Sequence, residues 1–311
     1  MKDLVIIAGP TATGKTRLSI ELAKRIGGSI ISADSMQVYK GMDIGTAKIT
    51  PEQMQGIPHY LIDILDPKDD FNIVMFQEKA GQAIDEICRN GRIPIITGGT
   101  GFYIQSILYD IDFTESEELV SYRRALTDLI KEKGGRYVHN MLEAADPEAA
   151  ERIHHNDSKR MIRALEYHEQ TGRKISEHND ESAKRTSPYN FCYFVLNYDR
   201  SRIYARINER VDKMIDDGLV EEVRKLKDAG LTKDNVSMHG LGYKEIIDHL
   251  EGNCTLEEAV YKIKLETRHF AKRQITWFKR EKDTIMLENG PDDTILDRMI
   301  VELKKKGIIN E

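Results

Sequence analysis

An octapeptide near the N-terminus, GPTATGKT at residues 9–16, constrains the fold more than any other feature of this sequence. It fills every fixed position of the pattern G-x-x-x-x-G-K-[ST]. The apolar run at residues 4–8 precedes it, and a helix-like stretch at residues 17–26 follows it. A strand, this loop and a helix in succession predict the first unit of a parallel α/β sheet.

The loop also predicts a binding site for a di- or triphosphate, including a nucleotide such as ATP. Its glycines let the backbone curl so that several N–H groups point at one anion, beside the positive end of a helix dipole. Lys15 is expected to neutralise phosphate oxygens, and the Thr16 hydroxyl to ligate a Mg²⁺ ion that bridges them. The candidate residues for binding the diphosphate or nucleotide are Gly9, Pro10, Thr11, Ala12, Thr13, Gly14, Lys15 and Thr16.

Composition limits the class of protein. A net charge of −6 argues against generic adhesion to nucleic acid and leaves only local basic patches for such contacts. No apolar run approaches the roughly 20 residues that span a bilayer, and the strand predicted at residue 4 leaves no room for a signal peptide. The three cysteines, Cys88, Cys192 and Cys254, lack metal-binding spacing. These features predict a cytoplasmic enzyme without membrane contact.

The order of apolar and helical segments predicts two kinds of architecture in one chain. Predicted strands lie at residues 4–8, 29–32, 60–64, 93–97, 191–196 and 284–287. Predicted helices of the same region lie at residues 14–26, 74–90, 202–216, 219–229, 243–250, 256–282 and 292–305. Between them, residues 115–189 are helical and heavily charged. We therefore expect an α/β fold: a P-loop parallel-sheet core flanked by helices, residues 1–114 and 190–311, with an all-helical insertion domain at residues 115–189.

Three polar clusters follow predicted strands of the core: the GPTATGKT loop, Asp34 with Ser35, and the turn GGTG at residues 98–101. Since the carboxyl ends of parallel strands meet at one edge of a sheet, we expect these clusters to converge. Asp34 is a candidate general base or outer-sphere Mg²⁺ partner, with a simple turn aspartate as the alternative. Thr100 is either a hydroxyl that orients a ligand or the N-cap of the following helix.

The later half of the chain contains unusual concentrations of positive charge. Residues 268–282 contain six Lys or Arg against one acid, Glu281, and residues 152–163 form a second basic group. These groups indicate either a polyanion-binding surface or merely solvated faces. Within residues 256–282, one helical stripe is predicted to belong to the core rather than to stack on bases, and it consists of Leu256, Val260, Ile263, Phe270 and Trp277.

The helix predicted at residues 202–216 places three arginines on one face, at intervals of four residues: Arg202, Arg206 and Arg210. An arginine on such a face is suited to clamp a diphosphate in the site. The alternative is an exposed helix whose arginines pair with neighbouring acids such as Glu209 and Asp212.

In combination, these segments resemble one family closely, the tRNA dimethylallyltransferases, also called isopentenyl-tRNA transferases. The matching segments run through nearly the whole chain, at residues 9–16, 34–39, 41–48, 58–63, 98–103, 156–157 with 160, 163–166, 240–243 and 271–277. Many families share the first segment, whereas those after residues 41 and 271 are far more particular. The chain lacks the additional C-terminal zinc-finger segment of eukaryotic members, so it resembles the bacterial type.

The resemblance implies an activity. The family transfers a dimethylallyl group from dimethylallyl diphosphate to the exocyclic amine of the adenosine on the 3′ side of the tRNA anticodon, with Mg²⁺ as cofactor. It implies that Asp34 is the base and that Thr100 orients the reacting groups. It also implies that Arg206 or Arg210 contacts the diphosphate.

The resemblance further implies a surface that binds the anticodon stem-loop of tRNA. The residues of this surface, beyond Asp34 and Thr100, are Ser35, Met36, Gln37, Arg123, Lys159, Arg160, Arg163, His239, Tyr243, Lys244, Lys272 and Arg273. The protein is expected to be a monomer. The main alternative is a small-molecule or nucleotide kinase, in which Asp34 would be the base for a substrate hydroxyl. A nucleotide-switched RNA-binding protein is a second alternative.

Overall fold

In the part of the chain that the structure describes, six parallel strands form one sheet in the order β3-β2-β4-β1-β5-β6. The computed structural model describes residues 1–109, 117–182, 186–288 and 290–310. The strands are β1 (Lys2–Ala8), β2 (Gly28–Ala33), β3 (His59–Tyr60), β4 (Ile93–Gly98), β5 (Tyr189–Asn197) and β6 (Thr284–Glu288). The predicted α/β fold with a parallel sheet is confirmed.

Both faces of the sheet are buried, which explains why its strands are continuous apolar runs rather than alternating patterns. In β1, Leu4 and Ile6 pack into one hydrophobic cluster, while Val5 and Ile7 pack into another on the opposite face. Pairing of Ala8 with Gly98 and of Ala33 with Gly98 aligns the carboxyl ends of β1, β2 and β4. Loops that follow these three strands therefore start at one edge.

Helices cover the two faces of the sheet. In the first part of the chain they are α1 (Lys15–Ile26), α2 (Pro51–Met54), α3 (Ile73–Arg89) and α4 (Gly101–Leu108). A separate group of five helices comprises α5 (Glu117–Lys133), α6 (Gly135–Ala145), α7 (Pro147–Arg152), α8 (Ser158–Thr171) and α9 (Ile175–Ser182). The last part contains α10 (Arg200–Asp216), α11 (Leu219–Asp228), the 3-10 helix Val236–His239, α12 (Tyr243–Leu250), α13 (Leu256–Phe278) and α14 (Asp292–Lys305).

The chain forms two compact units, Met1–Asp110 with Pro188–Glu311, and Ile111–Ser187. The second unit has its own core, in which Leu126, Val138, Leu142 and Met161 are buried. It covers nearly the same residues as the predicted insertion at 115–189. The predicted boundary at residues 114–115 lies outside the described residues, and Tyr189 already belongs to β5.

Two predicted elements are wrong in extent. The strand predicted at residues 60–64 is limited to His59–Tyr60, because Leu61 and Asp63 adopt left-handed φ angles of 63° and 55° that interrupt the ladder. The helix predicted to reach residue 282 ends at Phe278, with Lys279 as its C-cap. Within the described ranges, none of the helices is both long and apolar enough to cross a membrane.

Candidate active site

The three polar turns at the carboxyl ends of β1, β2 and β4 converge on one cavity of about 900 Å³. Its lining includes Lys15 from the GPTATGKT loop, Asp34 after β2, and Thr100 after β4. The convergence predicted from the sequence is therefore observed. This volume is at the upper end of the range for small-molecule sites, so the cavity has room for a diphosphate together with a second reacting group.

The GPTATGKT loop curls tightly before α1. Gly14 takes a left-handed φ of 85° as the N-cap of α1, and Ala12 also has a positive φ, 63°. The buried Thr13 hydroxyl donates a 2.8 Å hydrogen bond to the Pro10 carbonyl and closes the turn. The N-terminus of α1 thereby opens into the cavity, where the dipole and unpaired N–H groups of a helix favour an anion.

Lys15 lies across the inside of the loop. Its Nζ donates to the carbonyl oxygens of Gly9 at 2.9 Å and Pro10 at 2.7 Å. Desolvation, followed by the positive charge of Arg210, lowers the pKa of Lys15 to about 7, and the Asp34 carboxylate opposes that shift. Gly9 and Pro10, although predicted to bind the diphosphate, are buried and do not line the cavity; their carbonyl oxygens accept from Lys15 instead.

Two of the three arginines predicted on one face of α10 contact the loop. The Arg210 Nη1 lies 3.4 Å from the Thr11 Oγ1, and its Nη2 lies 3.4 Å from the Thr46 carbonyl oxygen. Arg206 reaches the Ala12 carbonyl at 3.5 Å. Burial lowers the pKa of Arg210, while the negative charge of Asp34 raises it. These long contacts leave both guanidinium groups directed at the loop and able to bind an anion.

Asp34 forms a local turn in which its Oδ1 accepts a 2.9 Å hydrogen bond from the Met36 N–H. The side chain is half-buried and lines the cavity. The turn expected of a simple turn aspartate is therefore present, and it places the carboxylate at the cavity; the role of Asp34 as a base stays a prediction. Thr100 occupies the N-cap position of α4, but its side chain makes no capping hydrogen bond. Its hydroxyl is therefore not used in the way the N-cap alternative requires.

Gln274 is a site residue that sequence reasoning did not single out. From α13, its Oε1 accepts a 2.9 Å hydrogen bond from the Thr11 N–H, and its Nε2 donates a 2.9 Å bond to the Gly99 carbonyl. One buried side chain thus joins the GPTATGKT loop to the GGTG turn. The sequence signal that could have indicated its role is a polar amide on a buried helix face, which it shares with Ala271, Ile275 and Phe278.

Two family models match this chain over overlapping segments. The model described as IPP transferase matches residues 37–281, and that described as isopentenyl transferase matches residues 2–68. The chain belongs to the tRNA dimethylallyltransferase family. The resemblance inferred from the sequence is confirmed.

Relatives match over almost their full length. The tRNA dimethylallyltransferase of Lachnoclostridium phytofermentans is 56% identical over 99% of this chain and 100% of its own. The corresponding protein of Carboxydothermus hydrogenoformans is 50% identical, with 97% of each chain covered. Among solved structures, the full-length tRNA isopentenylpyrophosphate transferase of Bacillus halodurans has a TM-score of 0.74 at 41% identity, covering 99% and 98% of the two chains.

A eukaryotic dimethylallyltransferase described as acting on tRNA matches with a TM-score of 0.83 at 28% identity. The match covers 99% of this chain and 80% of the eukaryotic chain. Members of the tRNA dimethylallyltransferase family thus share the fold of this chain from one end to the other.

Most residues with an expected tRNA contact in the first unit line the cavity: Ser35, Met36, Gln37, His239, Tyr243, Lys244 and Arg273. Lys272 does not line it and is exposed on α13. Arg202, on the same face of α10 as the two loop-contacting arginines, is exposed at the lining and packs 5.4 Å from the Tyr198 ring. A dimethylallyltransferase of this architecture therefore combines the expected diphosphate and acceptor residues in one cavity.

The remaining expected tRNA contacts lie in the second unit. Lys159 and Arg160 are exposed on the first turn of α8, and Arg163 is half-buried one turn later. Arg123 on α5 forms an ion pair with Glu166, in which the Arg123 Nε lies 2.6 Å from the Glu166 Oε1. The Glu166 side chain is buried, with 2% of its surface exposed. Arg123 thus has a structural task that the sequence did not indicate.

One prediction about the core stripe of α13 is wrong. Ile263 is buried and Leu256, Val260 and Trp277 pack against the core, as expected. Phe270 instead lines the cavity, with the Arg273 guanidinium 5.8 Å from its ring centre. Ile263, on the same stripe, also contributes to the lining but is buried in the core, whereas Phe270 is only half-buried and does not belong to the core.

Proposed function

We propose that this chain transfers the dimethylallyl group from dimethylallyl diphosphate to the exocyclic amine of the adenosine 3′-adjacent to the tRNA anticodon, and releases diphosphate. The observation that carries the proposal is the meeting of the GPTATGKT loop with the Asp34 carboxylate in one cavity. An anion site and a base must adjoin for this reaction. Relatives named as tRNA dimethylallyltransferases at 50–56% identity support it.

The GPTATGKT loop would hold the diphosphate as a leaving group. The bond between the allylic carbon and the diphosphate oxygen breaks as negative charge develops on that oxygen. Lys15, Arg210 and the N-terminus of α1 would stabilise this charge, and their common position at the cavity supports that role. Arg206 contributes from one turn earlier on α10, so both arginines would take part.

We also propose Mg²⁺ as the cofactor, held by the Thr16 hydroxyl and by diphosphate oxygens. Thr16 is exposed on the first turn of α1 and lines the cavity. Among the described residues, no cluster of three or more His, Cys, Asp or Glu is arranged to hold a metal. A hard, oxygen-preferring ion bound chiefly through substrate phosphates and water needs no such cluster. When bound, the ion would offset negative charge on the diphosphate.

Asp34 would take the proton of the acceptor amine as the new bond between nitrogen and carbon forms. The lone pair of an adenine amine is delocalised into the ring, so removal of its proton during attack helps the reaction. The local turn fixes Oδ1 through the Met36 N–H and so orients the carboxylate. The Thr100 hydroxyl, which makes no capping hydrogen bond to α4, would orient the acceptor.

An adenine in an anticodon loop must leave its stack to enter a cavity. Unstacking costs a few kcal/mol, which contacts to the surrounding nucleotides must offset. Phe270 and Arg273 at the cavity are suited to stack on a base, and His239 and Lys244 lie in the same lining. In the second unit, Lys159, Arg160 and Arg163 would contact phosphates of the stem.

The kinase alternative is not favoured, because the relatives that match nearly the whole chain are dimethylallyltransferases. We further propose that the enzyme is cytoplasmic and acts as a monomer. Sedimentation in the presence and absence of tRNA would test the monomeric state.

Transfer of labelled dimethylallyl diphosphate to an unmodified anticodon stem-loop with Mg²⁺ tests the proposal. The control is the same stem-loop with guanine in place of the target adenine. Label confined to the adenine substrate is the expected result. The proposal fails if the protein is folded and binds ATP, yet transfers no label from dimethylallyl diphosphate to any tRNA in an unfractionated pool. The kinase alternative would then replace it. Omission of Mg²⁺ from the same assay tests the cofactor.

A further inference from the structure

Glu222 binds a loop of the active site rather than its own helix. It lies in the first turn of α11, yet its Oε2 accepts hydrogen bonds from the N–H groups of Asp43 at 2.9 Å and Ile44 at 2.7 Å. Its Oε1 accepts from the Gly45 N–H at 3.1 Å and from the Tyr243 hydroxyl at 2.8 Å. Four donors therefore converge on one half-buried carboxylate.

Packing holds the same loop from the other side. Tyr243 is fully buried, and a Cβ on Gly45 would lie 2.6 Å from its ring. Burial, and next the negative charge of Glu222, raise the pKa of Tyr243 well above its ordinary value, so its hydroxyl remains a donor. Residues 43–45 are thus fixed to α11 by hydrogen bonds and to α12 by contact with an aromatic ring.

The next residue of the loop, Thr46, connects this arrangement to the proposed diphosphate site. Its carbonyl oxygen is the acceptor for the Arg210 Nη2 at 3.4 Å and for the Gln37 Nε2 at 3.3 Å. The other Arg210 nitrogen, Nη1, lies 3.4 Å from the Thr11 hydroxyl in the GPTATGKT loop. The position of the Thr46 carbonyl therefore influences where Arg210 points.

We propose that Glu222 is a positioning residue for the transfer reaction: it fixes residues 43–46 so that the Thr46 carbonyl aims the Arg210 guanidinium at the departing diphosphate. This inference rests on the proposed function. Glu222 does not line the cavity and touches no reacting group, so it acts only through the loop.

The substitution Glu222→Gln tests this mechanism closely. An amide has one acceptor oxygen and one NH₂ group, so two of the four converging donors would face a donor instead of an acceptor. The matched control is Glu221→Gln, which removes the same charge from the adjacent residue. Glu221 is exposed and pairs with Arg224 on its own helix.

The primary measurement is binding of inorganic diphosphate by calorimetry, which does not require transfer activity. We expect Glu222→Gln to weaken this binding about tenfold or more and to raise the KM for dimethylallyl diphosphate, with Glu221→Gln within about twofold of the parent chain. In an Arg210→Lys background, Glu222→Gln should weaken binding less than about twofold further, because both act through one guanidinium.

Other outcomes overturn the inference. Unchanged diphosphate binding in a Glu222→Gln protein with a lowered melting temperature would mean that the carboxylate is only structural. If Glu222→Gln weakens diphosphate binding by the same factor in the Arg210→Lys background as in the parent chain, Glu222 does not act through Arg210. If Glu222→Gln fails to fold, the variant Tyr243→Phe provides the test instead. It removes one of the four hydrogen bonds to Glu222 and should weaken diphosphate binding measurably. An unchanged affinity for diphosphate rejects the inference. Absence of transfer by the parent chain would reject the proposed function while leaving these binding results interpretable.

Discussion

A Cβ atom on Gly99 would lie 2.2 Å from the Nε2 of Gln274. That nitrogen also donates to the Gly99 carbonyl at 2.9 Å, so the glutamine side chain lies flat against the glycine backbone. Because the same amide accepts from the Thr11 N–H, the spacing between two turns of the active site depends on a glycine having no side chain. This contact joins residues 175 positions apart in sequence.

We therefore expect Gly99→Ala to destabilise the fold by about 1–3 kcal/mol through overpacking and to reduce transfer. Gln274→Ala in the same chain should recover part of the lost stability, because it removes the atom that the new methyl group meets. Gly81→Ala in α3 is the control: apart from its chain neighbours and the backbone of its own helix, no atom lies within 4 Å of the position its methyl group would take, and helix propensity favours alanine. Urea denaturation of these three variants and of Gln274→Ala alone measures the differences. An equal loss of stability from Gly99→Ala with and without Gln274 would contradict the overpacking explanation.

Asp34→Asn should lower kcat by a factor of about 10²–10⁴, the usual contribution of a general base. Diphosphate binding should stay the same or tighten, since the substitution removes a negative charge that acts on Lys15 and Arg210. The matched control is Asp66→Asn, since Asp66 forms the same turn, accepting from the Lys68 N–H at 2.9 Å, and does not line the cavity. Single-turnover transfer and calorimetry provide the two readouts. A near-normal kcat in Asp34→Asn would exclude the base.

Lys15 makes diphosphate binding dependent on pH. With a pKa of about 7 in the free protein, Lys15 is mostly neutral at pH 8. A bound anion favours the charged form, so binding at pH 8 should take close to one proton from the buffer. Calorimetry with dimethylallyl diphosphate in two buffers of different ionisation enthalpy measures this uptake. Lys15→Arg, which is charged at every pH of interest, should show none. Equal heats for the parent chain in the two buffers would refute the prediction.

The central arrangement of the site was predictable because its determinants are local. The apolar run before Gly9, the glycine pattern and the helix after Lys15 specify a strand, a loop and a helix over a short stretch of chain. The positions of Asp34 and Thr100 then follow from a general property of parallel sheets, whose strand ends share an edge. No long-range contact is needed to infer that these residues meet.

The parts that sequence reasoning missed depend on contacts between distant segments. Gln274 meets Thr11 across 263 residues, and Glu222 meets Asp43 across 179, so neither leaves a periodic signal. Phe270 has the spacing of a core residue, but the neighbours that leave it facing the cavity come from other elements. The strand predicted after His59 is cut short by the left-handed backbone of Leu61, which its apolar side chain does not indicate.

Arg123 and Lys159 should behave differently although both are expected tRNA contacts. Arg123→Ala leaves the carboxylate of Glu166 buried without its ion pair, and should destabilise the second unit by about 1–3 kcal/mol. Lys159 is exposed, so Lys159→Ala should leave stability unchanged while weakening tRNA binding and reducing its salt dependence. Denaturation curves and filter binding at several salt concentrations separate the effects. Adding Glu166→Gln to Arg123→Ala should restore stability in part, and no recovery would contradict the buried-charge explanation.

Glu281 gives the fold a pH dependence unrelated to the reaction. Burial raises its pKa from 4.5 to about 7, although the Gln105 amide donates a 2.8 Å hydrogen bond to it. Between these two values the folded protein holds a proton that the unfolded chain has released, so stability should fall as pH rises from about 4.5 to 7.

Glu281→Gln keeps an acceptor oxygen for Gln105 and cannot ionise. We expect this variant to melt at a higher temperature than the parent chain at pH 8 and at nearly the same temperature at pH 4.5, where Glu281 of the folded parent chain is already neutral. The control is Glu78→Gln, since Glu78 accepts from the Gln82 amide in the same way but is exposed on α3. A pH-independent difference between Glu281→Gln and the parent chain would show that packing, rather than ionisation of this carboxyl group, sets the effect.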